Sequence, residues 1–236
     1  AWHKTHNMFG MLLYAQREKA AMEKETSTQA AVSQFQPHFI SNMLSTIQIL
    51  CDDAPAKAKD SLGLFADYMR VSTDAFNYNG LVSFPRELAH ARNYAALEQL
   101  RFGNKLQVVY DIESEDFLLP ALTLQPLVEN AVQHGIHDCM ETGRIVMSIH
   151  RNQDMIDITV SDNGAGMTEE MIARVMAGRA DQNEEDRFST GIAVRNVIDR
   201  LQLYYKEENL FTIESDGPGK GTRVHIILPV YKDELE

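Results

Sequence analysis

Five short stretches of this chain place groups capable of chemistry at telling spacings. The first is Pro37-His38-Phe39, followed by Asn42. A neutral imidazole carries a free lone pair and needs no separate base to act as a nucleophile. Asn42 lies one helical turn beyond His38, on the same face, and could orient the ring or a water. Pro37 inside a helical stretch removes one hydrogen bond and clashes with the preceding turn, at a cost of roughly 3 kcal/mol. A break beside a nucleophile is expected to serve function. The bland alternative is an ordinary polar helix face, which is the reading for His3, His6, His90, His137, His150 and His225.

The second stretch runs from Leu124 to Gly135 (LQPLVENAVQHG). Leu127, Val128, Ala131 and Val132 make a helical apolar face, which predicts that Glu129, Asn130, Gln133 and His134 share the other. An amide oxygen is a hard ligand suited to Mg²⁺, an ion that enters nucleotide sites through few protein ligands plus phosphates. A solvated polar face is the alternative. The third stretch, Asp162-Asn163-Gly164-Ala165-Gly166-Met167, follows an Ile-Thr-Val strand. It is first of all a turn signal. Its second glycine also allows backbone to approach a ligand closely, and the Asp could accept from an exocyclic amine. The fourth, Ser189-Thr190-Gly191, opens a helix whose first amides suit an anion or are simply capped by a hydroxyl. The fifth, Gly217 to Thr222 (GPGKGT), reads as a hairpin loop before the last strand.

These stretches need elements to hold them. Residues 8 to 51 read as helix, with Val32, Phe35 or Gln36, Phe39 or Ile40, Met43, Ile47 and Leu50 recurring at three- and four-residue spacing. His38, Ser41, Asn42 and Ser45 fall on the opposite side. Asp52-Asp53-Ala54-Pro55 stops that helix and starts another, to about residue 77, with Leu62, Phe65, Tyr68, Met69 and Phe76. Two helices joined by a short turn predict an antiparallel hairpin. Since a lone hairpin cannot bury both faces, two copies are expected to pair as a four-helix bundle. Ser83-Phe84-Pro85 opens a third helix, to about Phe102. Beyond Gly103 the pattern predicts strands at Leu106–Ile112, Arg144–His150, Met155–Ser161, Leu210–Glu214 and Thr222–Leu228. Helices at about 123–134, 168–177 and 191–204 lie between them. Residues 178–190 have no apolar period. The expected fold class is α+β: a helical hairpin in a dimeric bundle, then a two-layer α/β sandwich with helices on one face of the sheet.

The chain has 236 residues, 44% of them hydrophobic, enough for a substantial core. Its net charge is −12. The part through Gly80 holds 7 basic and 8 acidic residues against 15 and 26 after it, so the second part carries nearly all the charge. An acidic surface argues against nonspecific nucleic-acid binding. It leaves room for a phosphate ligand held locally by backbone amides and a metal ion. Two cysteines without CxxC pairing argue against a disulfide scaffold or zinc site, and fit a reducing compartment. No apolar run of about 18 residues offers a membrane span, and no signal peptide is visible.

Taken in order, Pro37-His38-Phe39 with Asn42, Arg101-Phe102, Leu124 to Gly135, Asp162 to Gly166, Gly191 and Gly221-Thr222 resemble one family pattern. That pattern is PHF-x-x-N, RF, LQPLVENA-x-x-HG, DNG-x-G, a G-x-G loop and a closing GT. It belongs to the GHKL ATPases with the Bergerat ATP-binding fold, and in particular to the LytS-like sensor histidine kinases. The resemblance covers about residues 29 to 230. It implies a signalling helix at 1–28, a dimerisation and phosphotransfer hairpin at 29–80, and an ATP-binding domain at 81–236. It implies His38 as phosphoacceptor and Asn130 as Mg²⁺ ligand beside the ATP phosphates, with His134 near the phosphates or ribose. Asp162 would bind the adenine amine in a pocket shaped by Gly164 and Gly166. Gly191 would end an ATP lid formed by 178–190, and Gly221-Thr222 would line the adenine side. Glu129 would be a polarising base, and Asn42 would assist at His38.

The partners implied are a second copy of the chain, a response-regulator receiver domain, and an upstream membrane sensor whose cytoplasmic portion this would be. Two departures concern phosphate handling. The G-x-G lid loop reads Gly191-Ile192-Ala193, where a Cβ disfavours positive φ. Gln133 stands where many relatives carry lysine, removing a cation near the γ-phosphate. These departures leave open a dimeric scaffold that binds nucleotide with weak or no kinase activity. A GHKL serine kinase or ATP-driven clamp is a third reading, against which the PHF-x-x-N helix speaks.

Overall fold

The computed structural model describes residues 37–75, 80–135, 142–178, 188–207 and 209–230. The chain divides into two compact units, Ala1–Ser45 and Thr46–Glu236. Helix α1 (Pro37–Asp53) carries the end of the first unit. On it Phe39, Met43 and Ile47 are buried at four-residue spacing, while His38, Ser41 and Ser45 are exposed. That is the stripe the sequence predicts. The signalling helix expected at 1–28 and the stretch just before Pro37 lie outside the described residues.

A single residue, Ala54, links α1 to α2 (Pro55–Ala75). The amide of Ala54 donates to Leu50 O at 2.8 Å and that of Ala58 to Ala54 O at 3.0 Å, so helical bonding continues on both sides of the link. Pro55 sits in the first turn of α2, where its missing N–H costs nothing. Leu62, expected among the apolar positions of α2, is 53% exposed, whereas Phe65 and Tyr68 are buried.

The second unit is a sheet with helices over one face. Strand β1 (Leu81–Ser83) leads into α3 (Phe84–Phe102), which has proline in its first turn and ends at Gly103 with φ 58. A short 3₁₀ turn (Gly103–Lys105) opens β2 (Leu106–Ile112). Then come β3 (Leu118–Pro120), α4 (Leu124–Gly135), β4 (Gly143–Asn152), β5 (Met155–Asp162), α5 (Glu169–Met176), α6 (Phe188–Tyr205), β6 (Phe211–Glu214) and β7 (Arg223–Pro229). The main sheet has the order β2-β4-β5-β7-β6. Only its β2–β4 pair is parallel, which requires the crossover supplied by β3 and α4. Ile145, Met147 and Ile149 of β4 and Ile156, Ile158 and Val160 of β5 all point into one buried layer. The alternate residues Ser148, Asp157 and Thr159, with His225 of β7 beside them, are polar and partly exposed. Leu127, Val128, Ala131 and Val132 of α4 and Val194, Val197 and Leu201 of α6 complete the core. This is the α+β sandwich expected. The small β1–β3 sheet is an addition, since two three-residue strands leave no periodicity to read.

The start of α4 is set from α3. Glu87, 4% exposed, accepts from the amides of Leu122 (2.8 Å), Thr123 (2.9 Å) and Leu124 (3.1 Å). Leu122 adopts φ 59, and its carbonyl accepts from Arg200 Nη2 of α6 at 2.6 Å. Burial pushes the Glu87 carboxyl above its usual range, opposed by these three amides and by Arg200. Glu87→Ala leaves three buried donors unpaired and Arg200 without its counter-charge. It is expected to destabilise the protein by about 3–5 kcal/mol. A melting temperature unchanged within a degree or two would contradict that assignment.

Candidate functional site

An open cleft lies between the sheet and the helices. Its walls are largely apolar: Leu127 and Ala131 from α4, Val160, Met167, Val175, Val194, Ile213 and Val224. Three polar residues enter it, namely Asn130, Asp162 and Thr222. These are three of the residues that the sequence singles out: Asn130 comes from α4, Asp162 from the end of β5 and Thr222 from the loop just before β7.

Asp162 ends β5. Its Oδ1 accepts from Gly164 N at 2.8 Å, and its own amide donates to Thr222 O at 2.9 Å. Burial raises its carboxyl to about 6, with the Gly164 and Thr222 backbone groups pulling the other way. Asn163 turns outward and secures the start of β4, accepting from Arg144 N at 2.6 Å and donating to Thr142 O at 3.1 Å.

The two glycine-rich loops are clasped together. Gly219 N donates to Ala165 O at 2.6 Å and Gly221 N to Gly164 O at 3.1 Å. The Ser215 hydroxyl accepts from Met167 N at 3.0 Å and donates to Gly221 O at 2.6 Å. Gly166 has φ 64, and a Cβ there would overlap Gly217 O; Gly221 has φ 75, and a Cβ there would overlap Asp162 O. The glycines therefore admit the neighbouring loop's backbone. That is a different neighbour from the ligand expected at Gly166. Ser215 organises the clasp, yet only a serine after a strand announces it in the sequence.

Asn130 faces the cleft with its Nδ2 buried and without a hydrogen-bond partner. That Nδ2 can donate to a phosphate oxygen, and with the amide turned over Oδ1 would meet a hard cation at the same place. No group of three or more His, Cys, Asp or Glu among the described residues could hold a metal by itself. An ion such as Mg²⁺, which brings phosphate and water ligands with it, fits that donor set better than one needing a protein cage.

Glu129 does not join Asn130. Gln125 Nε2 donates to its Oε1 at 2.6 Å and Tyr68 OH to the same oxygen at 3.3 Å. It therefore faces α2, and the single polar face expected for both residues is divided between two environments. Burial raises its carboxyl to about 7, opposed by the bonds from Gln125 and Tyr68, with the charge of Glu98 adding to the rise. Nearby, Arg101 pairs with Glu98 at 3.1 Å and lies 4.4 Å from the Phe102 ring centroid, which accounts for the RF pair.

Gly191 is helical and falls in the first turn of α6, which starts three residues earlier than expected, at Phe188. Ala193 is also helical, so the positive φ that would disfavour alanine does not arise. Most of the expected lid (residues 179–187) and the side chain of His134 lie outside the described residues. On α1, the Asn42 amide nitrogen is 3.1 Å from Nδ1 and 3.4 Å from Nε2 of His38, in an exposed setting.

Residues 26–106 match the family model described as "Histidine kinase", and residues 116–232 match "Histidine kinase-, DNA gyrase B-, and HSP90-like ATPase". An uncharacterized Bacillus subtilis protein, YwpD, is 32% identical over 223 residues, covering 91% of this chain and 76% of its own length. Sensor histidine kinase YpdA of Escherichia coli is 33% identical over 187 residues, covering 79% of this chain and 32% of its own length. Sensor protein LytS of Enterococcus faecalis is 30% identical over 215 residues, covering 90% and 36%. The chain thus spans about a third of the two sensor proteins.

Proposed function

Because this chain belongs to the histidine kinase family, we propose that it catalyses ATP-dependent phosphorylation of His38 and passes the phosphoryl group to an aspartate of a response-regulator receiver domain. The observation that carries this reading is the unpartnered Asn130 amide beside the Asp162 carboxylate in one apolar cleft. One end of the cleft suits a purine, whose amine donates to Asp162. The other end suits phosphates. Val160, Val224 and Ile213, paired side by side on the sheet, would form the apolar floor beneath the ring.

In the reaction, the lone pair of a His38 ring nitrogen attacks the γ-phosphorus as the bond to the β,γ-bridging oxygen breaks, and ADP leaves. Asn42, one turn along, would orient the imidazole. Mg²⁺, held through Asn130 and the phosphates, supplies charge neutralisation when bound. A carboxylate oxygen of the receiver domain then takes the phosphoryl group as the P–N bond breaks. Gly164, Gly166, Gly221 and Thr222 shape the adenine end. His134, the amides around Gly191 and the lid serve the phosphates. The homodimer through α1 and α2, and attachment to a membrane sensor, belong to the same proposal. No helix among the described residues is long and apolar enough to cross a membrane.

Incubation with γ-labelled ATP and Mg²⁺ tests the reading. Acid-labile, base-stable label on the protein is the expected result. Bound ATP without label would instead identify a nucleotide-binding scaffold, and acid-stable label a serine kinase or clamp.

The Asp162 carboxyl makes a further prediction. With its proton lost only above about pH 6, the acceptor form is present at neutral pH and is withdrawn as pH falls. Affinity for adenosine, which has no phosphate to titrate, should weaken about tenfold per unit below that pH. Asp162→Asn should weaken binding roughly 10- to 100-fold at neutral pH and abolish this dependence. Calorimetric titration from pH 5 to 8 reads both, and a flat wild-type profile would contradict the role of the carboxylate.

A further inference from the structure

The nucleotide cleft is held from behind by a buried polar contact that the reaction does not use. Tyr68 of α2 is 6% exposed, and its hydroxyl donates to Glu129 Oε1 at 3.3 Å and accepts from Gln125 Nε2 at 3.0 Å. Gln125 Nε2 also donates to Glu129 Oε1 at 2.6 Å, which closes a triangle of three side chains. The Tyr68 ring is located independently, packed against His90 and Tyr94 of α3 with centroids 5.3 and 6.0 Å away. Ser72, one turn on, gives its only proton to Tyr68 O at 2.9 Å, so at 3.1 Å it accepts from His90 Nε2–H. His90 thus carries a proton on Nε2, and burial, which lowers its pKa to about 4, keeps the ring neutral.

A carboxyl withdrawn from water is costly unless its oxygens are bonded. Glu129 is tolerated on this side of α4 only while Tyr68 and Gln125 attend it. Gln125 rides on the same helix and moves with it. Tyr68 comes from α2, which continues from α1 through the single residue Ala54. Asn130 follows Glu129 directly, and its buried Nδ2 has no protein partner to locate it. The placement of that amide thus follows from the placement of α4, fixed at its start by Glu87 and in its middle by Tyr68.

We propose that Tyr68 is a positioning residue for the nucleotide site, its hydroxyl holding Glu129 and thereby the turn of α4 that presents Asn130. The proposal rests on the nucleotide-binding reading of the cleft. It makes α2 a lever: a shift of that helix withdraws the hydroxyl, leaves a buried carboxyl short of a donor, and turns Asn130 out of register with its ligand.

Tyr68→Phe keeps the ring and its packing and removes only the hydroxyl. Hydrogen exchange of the nucleotide-free chain is the first readout. Amides of α4 should exchange about fivefold faster while those of β4 and β5 are unchanged. Binding of Mg-ADP is the second, and should weaken about fivefold. In a Glu129→Gln background, Tyr68→Phe should add little to either effect, since its action runs through Glu129. Exchange and affinity at wild-type levels would overturn the proposal. So would faster exchange spread equally through sheet and helix, which marks a packing role alone, or additive effects of the two substitutions. A wild-type chain that binds no Mg-ADP would overturn the nucleotide reading itself. That failure differs visibly from one in which wild type and Tyr68→Phe bind alike.

Discussion

His38→Gln is expected to reduce incorporation of label from γ-labelled ATP to background. Glutamine preserves polarity and helix propensity at an exposed helical position but offers an amide nitrogen whose lone pair is delocalised and cannot attack phosphorus. Asn42→Ala should act more mildly. The imidazole would keep its lone pair and lose the amide 3.1 Å from Nδ1, so a rate loss of about tenfold is expected from poorer orientation. The two variants therefore separate nucleophile from orienter. Label persisting in His38→Gln would place the phosphoacceptor elsewhere on the chain and remove the basis for reading α1 as the acceptor helix.

Gly221→Ala is expected to have the largest structural effect of any single methyl added to the cleft. Its φ of 75 costs an alanine about 1–2 kcal/mol. The added Cβ would also overlap the Asp162 carbonyl and meet Asn163 Cα, and overpacking against backbone costs about 1–3 kcal/mol more. A total of about 2–5 kcal/mol lowers the melting temperature by roughly 5–15 °C for a chain of this size. Nucleotide affinity should fall with it, because the carbonyl that must move belongs to Asp162. Gly219→Ala is the natural control. Its φ is 74 but nothing lies within 4 Å of the added atom, so only the conformational cost of about 1–2 kcal/mol should remain. Equal effects of the two would show that the clasp between the loops yields easily.

Long periodic segments were legible in the sequence because burial on one face imposes a rhythm. The alternation of Ile145, Met147 and Ile149 and the spacing of Phe39, Met43 and Ile47 each mirror one buried face. Asn130, Asp162 and Thr222 were legible by residue type, and the cleft brings them together. What escaped was action at long range. Glu87 looks like an ordinary first-turn glutamate, and nothing local says that it serves amides 35 to 37 residues away. Tyr68 reads as one more apolar position on α2, yet its hydroxyl reaches α4. Glu129 was assigned to the face of Asn130 because a two-faced helix was assumed. α4 is packed both by the sheet and by the preceding helices, so neighbouring polar residues enter different surroundings. Gly166 is legible as a site of close approach, but only the fold reveals that it and Gly221 each admit the other loop.

The Glu87 cap also constrains polarity in the cleft. Helix N-termini attract anions through their unpaired amides, and α4 opens close to the site. The amide of its first residue, Leu124, and the two amides before it already bind the Glu87 carboxylate, and a second anion there would face that charge. The first turn of α6, containing Gly191, presents amides with no acidic side chain in that turn. On the reading proposed above, a nucleotide anchored by its amine at Asp162 would extend its phosphates past Asn130 toward α6, rather than back along α4. That direction would be set by a glutamate that the ligand never touches.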